Sequence, residues 1–168
     1  MKEELSMERK DSPLLELYLN YDEWKEEHDA LQSRLLELCR LMKWNPGNYE
    51  HANWEAHHRK VKDLWFLPFM RDWKRHLAKE RNAIYPIAQS AICGGKMGPA
   101  AVLEQDGRIA ETFFQEYLDA VKSGAPPEEA LALLLQVLMI VAEHFRVEDE
   151  SVVPVTEKLM EEIEYNRC

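Results

Sequence analysis

The sequence predicts an all-α fold: an antiparallel up-down-up-down four-helix bundle, with a short extra helix before the second core helix and a C-terminal helical extension. Three observations predict it. Apolar residues recur at helical spacing over four long stretches, and no alternating run suggests a strand. The breaks between these stretches are short and carry proline or glycine, so successive helices fold back on one another. One phrase occurs twice on predicted core faces, as His76-Leu77-Ala78-Lys79-Glu80 and His144-Phe145-Arg146-Val147-Glu148. In each copy Glu follows His by four residues and Pro by ten, at Pro86 and Pro154, with an apolar pair just before the Pro.

Residues 1–12 are charged and are expected to fray. Ser12 and Pro13 suit the start of a helix, Ser as cap and Pro in the first turn. Its seam runs through Leu14, Tyr21, His28, Leu35 and Met42, with Leu17, Trp24, Leu31 and Leu38 beside it, and it ends before Asn45-Pro46-Gly47. Residues 48–66 are expected to form the short extra helix, and Pro68 to open the second core helix. That helix places Phe69, Trp73, His76, Leu77, Glu80, Ala83, Ile84 and Ile87 on one face, kinks at Pro86 and ends in Gly94–Gly98. A third helix from Pro99 has Ala100, Leu103, Gly107, Ala110, Phe114 and Tyr117 on its seam. After Ser123–Pro127 a fourth carries Ala130, Leu134, Val137, Val141, His144 and Glu148, and Pro154 starts or kinks a final charged segment. With no linker in 168 residues, the whole chain, 1–168, is expected to form a single domain.

The net charge of -10 argues against a nucleic-acid partner, which would need clustered Lys and Arg. The longest apolar run, Ala130–Ala142, is broken by Gln136 and is too short to span a bilayer, so no membrane partner is expected. The charged N-terminus lacks the apolar core of a signal peptide, and Cys39, Cys93 and Cys168 form no paired motif; both point to a cytoplasmic protein. Cys39 reads as packing. The acidic tail and the block around His51, His57 and His58 read as solvated helix faces, and the five tryptophans as packing residues, with Trp24 and Trp73 near enough to His28 and His76 to wall a pocket.

His28, His76, Glu80, His144 and Glu148 all fall on core seams. A histidine there is most often a hydrogen-bonded core residue, but buried Glu demands a partner or a cation. Side chains four apart share a helix face, so each phrase sets an imidazole beside a carboxylate. Two such pairs facing one another make a mixed nitrogen and oxygen pocket suited to a transition metal.

The order of these residues resembles the hemerythrin-like family, whose module is also called the HHE cation-binding domain, over about residues 14–155. The resemblance implies an antiparallel four-helix bundle around non-haem iron. His28 matches its first-helix His, His76 and Glu80 its second-helix motif, and His144 its fourth-helix motif, with Glu148 and Asp149 as alternative carboxylates. The third helix departs from the pattern. No His is present between Val102 and Glu111, and Gly107 falls where one is expected, with Glu111 four residues on as the inward carboxylate and Glu104 in reserve. The implied ligand set is His28, His76, Glu80, Glu111, His144, Glu148 and Asp149.

The implied cofactor is two irons bridged by carboxylates, with one iron or another divalent metal as the alternatives. The implied partner is dioxygen or a small relative such as nitric oxide, bound for storage, sensing or iron handling. No substrate pocket or nucleophile is evident, so an enzyme is not expected. An oxidase or peroxidase-like activity would need an open coordination position, which Gly107 would leave. The competing expectation is a metal-free bundle acting as an interaction or regulatory protein. Oligomeric state is left open.

Overall fold

The computed structural model describes residues 13–42, 51–86 and 99–167, and every element among them is helical. The elements are α1 (Pro13–Met42), α2 (His51–Val61), α3 (Leu67–Lys79), α4 (Pro99–Lys122), α5 (Pro127–Val147) and α6 (Val153–Arg167). Three π-turns join them without a break in the helical path: Lys62–Phe66 between α2 and α3, Glu80–Ile84 after α3, and Glu148–Val152 between α5 and α6. The chain is therefore four rods: α1, α2 with α3, α4, and α5 with α6.

Side-chain pairs fix how the rods run. Arg34 bonds Asp72 and Lys79 bonds Glu27, so α1 and α3 are antiparallel. His28 meets Asp149 and Tyr21 meets Glu157, which sets α1 against the fourth rod in the same sense. His58 meets Tyr117 and Leu77 lies against Gly107, so the second and third rods are antiparallel too. α4 and α5 are joined by a tight turn at Gly124, whose φ of +73° is open to glycine at little cost.

The expected seams are the buried faces. Leu17, Tyr21, Trp24, Leu31, Leu35, Leu38 and Met42 line α1, and Leu134, Val137, Val141 and Phe145 line α5. Two apolar clusters result. The larger one holds Leu31 to Met42, Phe66 to Leu77, Ala110 to Tyr117 and Ala130 to Phe145; the smaller holds Leu17, Tyr21, Trp24, Ile84, Tyr85, Leu103, Val152 and Val153. The polar residues His28, Glu80 and Glu148 fall between the two in sequence, and His76 and His144 stand one residue before the last member of the larger cluster on their rods, Leu77 and Phe145; all five are fully buried. The fourth rod is long and apolar enough to cross a membrane by length and composition, but its apolar seam packs into this core.

The structure corrects the reading of the prolines. The extra helix is present as α2, but Pro68 does not open a new helix, and Pro154 does not start one. Each of Pro68, Pro86 and Pro154 follows the first residue of a π-turn (Lys62, Glu80, Glu148) by six positions, and at Pro68 and Pro154 the helix runs on through the proline. A proline ring collides with the carbonyl four residues earlier in an α-helix. Widening the preceding turn by one residue relieves that contact and lets the rod continue.

Other expectations also change. Cys39 is exposed rather than packed. His57 and His58 are half-buried, bonded to the Leu41 carbonyl and the Tyr117 hydroxyl, rather than solvated. Trp65 is 39% exposed, whereas Trp24 and Trp73 are core. The frayed segment 1–12, the Asn45-Pro46-Gly47 break, the Gly94–Gly98 end, Ile87, Trp44, Cys93 and Cys168 lie outside the described residues.

Candidate metal centre

The buried cluster is assembled from three rods. α1 supplies His28, α3 and its π-turn supply His76 and Glu80, and α5 and its π-turn supply His144 and Glu148. One ligand atom from each of His28, His76, Glu80 and Glu148 lies within 4.8 Å of the others. His28 Nδ1 stands 3.0 Å from Glu148 Oε2, and His76 Nε2 stands 2.8 Å from Glu80 Oε1. These four atoms are buried, close together and without a hydrogen-bond partner. The spacing is close enough for one cation to be reached by a donor from each of the four residues.

The outer nitrogens of the two imidazoles are held. His28 Nε2 lies 2.8 Å from Asp149 Oδ1, and Gln32 donates to the other oxygen of that carboxylate at 3.0 Å. His76 Nδ1 lies 3.1 Å from Glu27 Oε1, while Lys79 donates to Glu27 Oε2 at 2.6 Å. A carboxylate accepting from the outer nitrogen leaves a lone pair on the inner one, which is how metal-binding histidines are oriented. Trp24 stacks on both rings, at 5.0 Å from His28 and 5.5 Å from His76, and Trp73 meets His144 edge-on at 5.7 Å. The two tryptophans wall the site.

The other oxygens of the same carboxylates face elsewhere. Glu148 Oε1 lies 2.5 Å from His144 Nε2, and Glu80 Oε2 lies 3.4 Å from it. Between them sits the Tyr85 hydroxyl, which donates to Glu80 Oε2 and lies 3.0 Å from both His144 Nε2 and Glu148 Oε1.

Electrostatics follow from this crowding. Burial would push the His144 imidazole down, but the carboxylates of Glu148 and Glu80 outweigh it and raise it to about 10. Burial likewise opposes charge on His28, and Glu148 and Asp149 more than reverse it. Burial would raise the Glu80 carboxyl, yet the imidazoles of His144 and His76 beside it hold it well below the usual range. Burial and then the adjacent carboxylates push the Tyr85 phenol far up, so it stays protonated.

Of the expected site residues, His28, His76, Glu80, His144 and Glu148 come together. Asp149 lies outside the cage, on the far side of His28. Glu111 is half-buried on α4 and is not among the converging residues; neither is Glu104. A β carbon on Gly107 would meet Leu77 Cδ1 at 3.4 Å and Arg81 Nη2 at 3.7 Å, so the space beside it belongs to those side chains.

Sequence reasoning missed Tyr85 and Glu27. In the sequence Tyr85 stands only as half of the apolar pair before Pro86. In an α-helix a residue five after Glu80 would be off its face, but the π-turn makes the Tyr85 N–H bond the Glu80 carbonyl and stacks the two. The proline after it was the available signal. Glu27 reaches across from a neighbouring rod, which spacing within its own helix does not reveal.

A family model described as the hemerythrin HHE cation binding domain matches residues 19–157. Comparisons with curated proteins and with solved structures returned no match.

Proposed function

The chain belongs to the hemerythrin HHE cation-binding family, and from that premise we propose that it is a cytoplasmic non-haem iron protein that binds dioxygen or another small diatomic ligand. The observation that carries the metal is the convergence of four buried, unpartnered donors from His28, His76, Glu80 and Glu148. Nitrogen and oxygen donors together suit a first-row transition metal better than calcium or magnesium. Two carboxylates and two neutral imidazoles carry two negative charges, which a divalent cation cancels in an apolar bundle. Iron bound here would supply a redox-active centre.

The chain's own residues narrow what can reach it. All four donors are 0% exposed. A cleft of about 390 Å³ between α1 and the turn after α3 is lined by Leu17, Trp24, Ala83 and Ile84 and by the polar Asn20, Glu23, Lys79 and Asn82; Trp24 also stacks on His28 and His76. Asp149 and Glu27 hold the imidazoles in the orientation a metal needs. Among the described residues no nucleophile is presented at the cage, so storage, sensing or iron handling fits better than catalysis.

One observation favours a second reading, a metal-free bundle with an interaction role. The imidazole of His144 and the hydroxyl of Tyr85 already compensate the far oxygens of both buried carboxylates. Purification after growth with iron separates the two. We expect retained iron and a visible absorption that changes when oxygen is admitted. Less than about a tenth of an equivalent of any transition metal, after anaerobic iron loading as well, would leave the metal-free bundle standing.

A further inference from the structure

Resting on the metal reading above, we infer that the centre is built for one cation rather than two, and that the Tyr85 hydroxyl, with His144, occupies the place of a second. Glu80 and Glu148 each turn one oxygen to either side. On one side Glu80 Oε1 and Glu148 Oε2 meet His28 Nδ1 and His76 Nε2, and none of the four is hydrogen-bonded. On the other side Glu80 Oε2 and Glu148 Oε1 meet His144 Nε2 and the Tyr85 hydroxyl, and all are bonded.

A second cation bridged by these carboxylates would need that far side open. Instead an oxygen stands 3.0 Å from both His144 Nε2 and Glu148 Oε1 and bonds Glu80 Oε2. That oxygen sits at the point those three atoms share, and an ion needing donors at about 2.1 Å has no place beside it.

The imidazoles differ in the same sense. His28 and His76 each have a carboxylate on the outer nitrogen, whereas His144 Nδ1 has no hydrogen-bond partner among the described residues. Its ring is not braced as the two others are. The third rod adds no imidazole, since Pro99–Lys122 contains no His and Leu77 and Arg81 stand against Gly107. Tyr85 is delivered by the π-turn, whose i to i−5 bond stacks it over Glu80. Its hydroxyl fixes the far oxygens of both carboxylates and so aims the near oxygens at the single cage.

The test is a count on the full chain. The protein is stripped of metal and titrated anaerobically with ferrous iron, and separately with cobalt(II), and bound metal is measured after gel filtration. We expect one equivalent. Tyr85→Phe should keep one equivalent, bound about tenfold more weakly because the carboxylates lose their brace. Tyr85→Ala, which clears the ring, should admit a second. Two equivalents in the unaltered protein would overturn the inference. So would a folded Tyr85→Ala protein that still takes one. A phenolate-to-iron absorption band in the ferric protein, absent from Tyr85→Phe, would place Tyr85 on the metal and also overturn it. Uptake of no metal at all refutes the metal centre itself, an outcome distinct from a wrong count. If circular dichroism shows Tyr85→Ala unfolded, the count and the ferric spectrum decide.

Discussion

His76-Leu77-Ala78-Lys79-Glu80 and His144-Phe145-Arg146-Val147-Glu148 share spacing, a π-turn that begins at the Glu, and a proline six residues further on. Around them the chemistry diverges. His76 has its outer nitrogen on Glu27, while that of His144 has no hydrogen-bond partner among the described residues; the residue before Pro86 is Tyr85, and the residue before Pro154 is Val153. One phrase presents an oriented imidazole to a shared cage. The other presents an imidazole to a hydroxyl. Spacing alone sets the backbone and the carboxylates, and the neighbours of each phrase decide what the imidazole does.

The carboxylates are what the two phrases have in common, so removing either should have the largest effect. Glu80→Ala or Glu148→Ala should lower metal affinity more than about a hundredfold, beyond what loss of an outer partner costs. Titration with cobalt(II) reads it; a variant that binds like the parent would show that its carboxylate is not a ligand. The supports come next and break the symmetry. Glu27→Gln and Asp149→Asn should each weaken binding about 10–100-fold while the fold persists. Unchanged affinity in both would remove the distinction drawn between His76 and His144.

In the metal-free protein the comparison becomes one of pH. His144 is raised from 6.5 to about 10, so its contribution to stability is complete below its unfolded value and is lost as pH rises through about 10. His28 is raised too and acts in the same direction. Glu80 is depressed below 4.5, so its contribution is complete above that value and is lost as pH falls. Denaturant unfolding of stripped protein should therefore show greatest stability between about pH 5 and pH 6.5. A stability that climbs steadily into the alkaline range would contradict the protonated pairing.

The smallest effect concerns the π-turn that carries no ligand. Pro68→Ala should leave metal affinity unchanged and raise stability by about 1 kcal/mol, or about 2–4 °C in Tm. A fall in affinity would mean that the turn at Lys62 helps to set the cage.

Much of this was legible in the sequence. The period of Leu17, Tyr21, Trp24, His28, Leu31 and Leu35 fixes one buried face of α1, and the duplicated phrase fixes another two. Buried Glu80 and Glu148 signal a site because an unpaired carboxylate is too costly in a core. What was hidden depends on departures from the α-period or on contacts between rods. Tyr85 enters the site only because a proline forces a wider turn before it. Asp149 and Glu27 are separated by their roles only when α1 packs against its neighbours. Gly107, placed by analogy with a missing imidazole, faces Leu77 and Arg81 once the third rod takes its rotation.

The most direct measurement is anomalous diffraction at the iron edge from crystals of the iron-loaded full chain. A single peak is predicted in the cage, about 2.0–2.2 Å from His28 Nδ1, His76 Nε2 and the near oxygens of Glu80 and Glu148, with the Tyr85 hydroxyl still on the far side. A cage without a peak, with imidazole and carboxylate bonded to one another instead, would contradict the account.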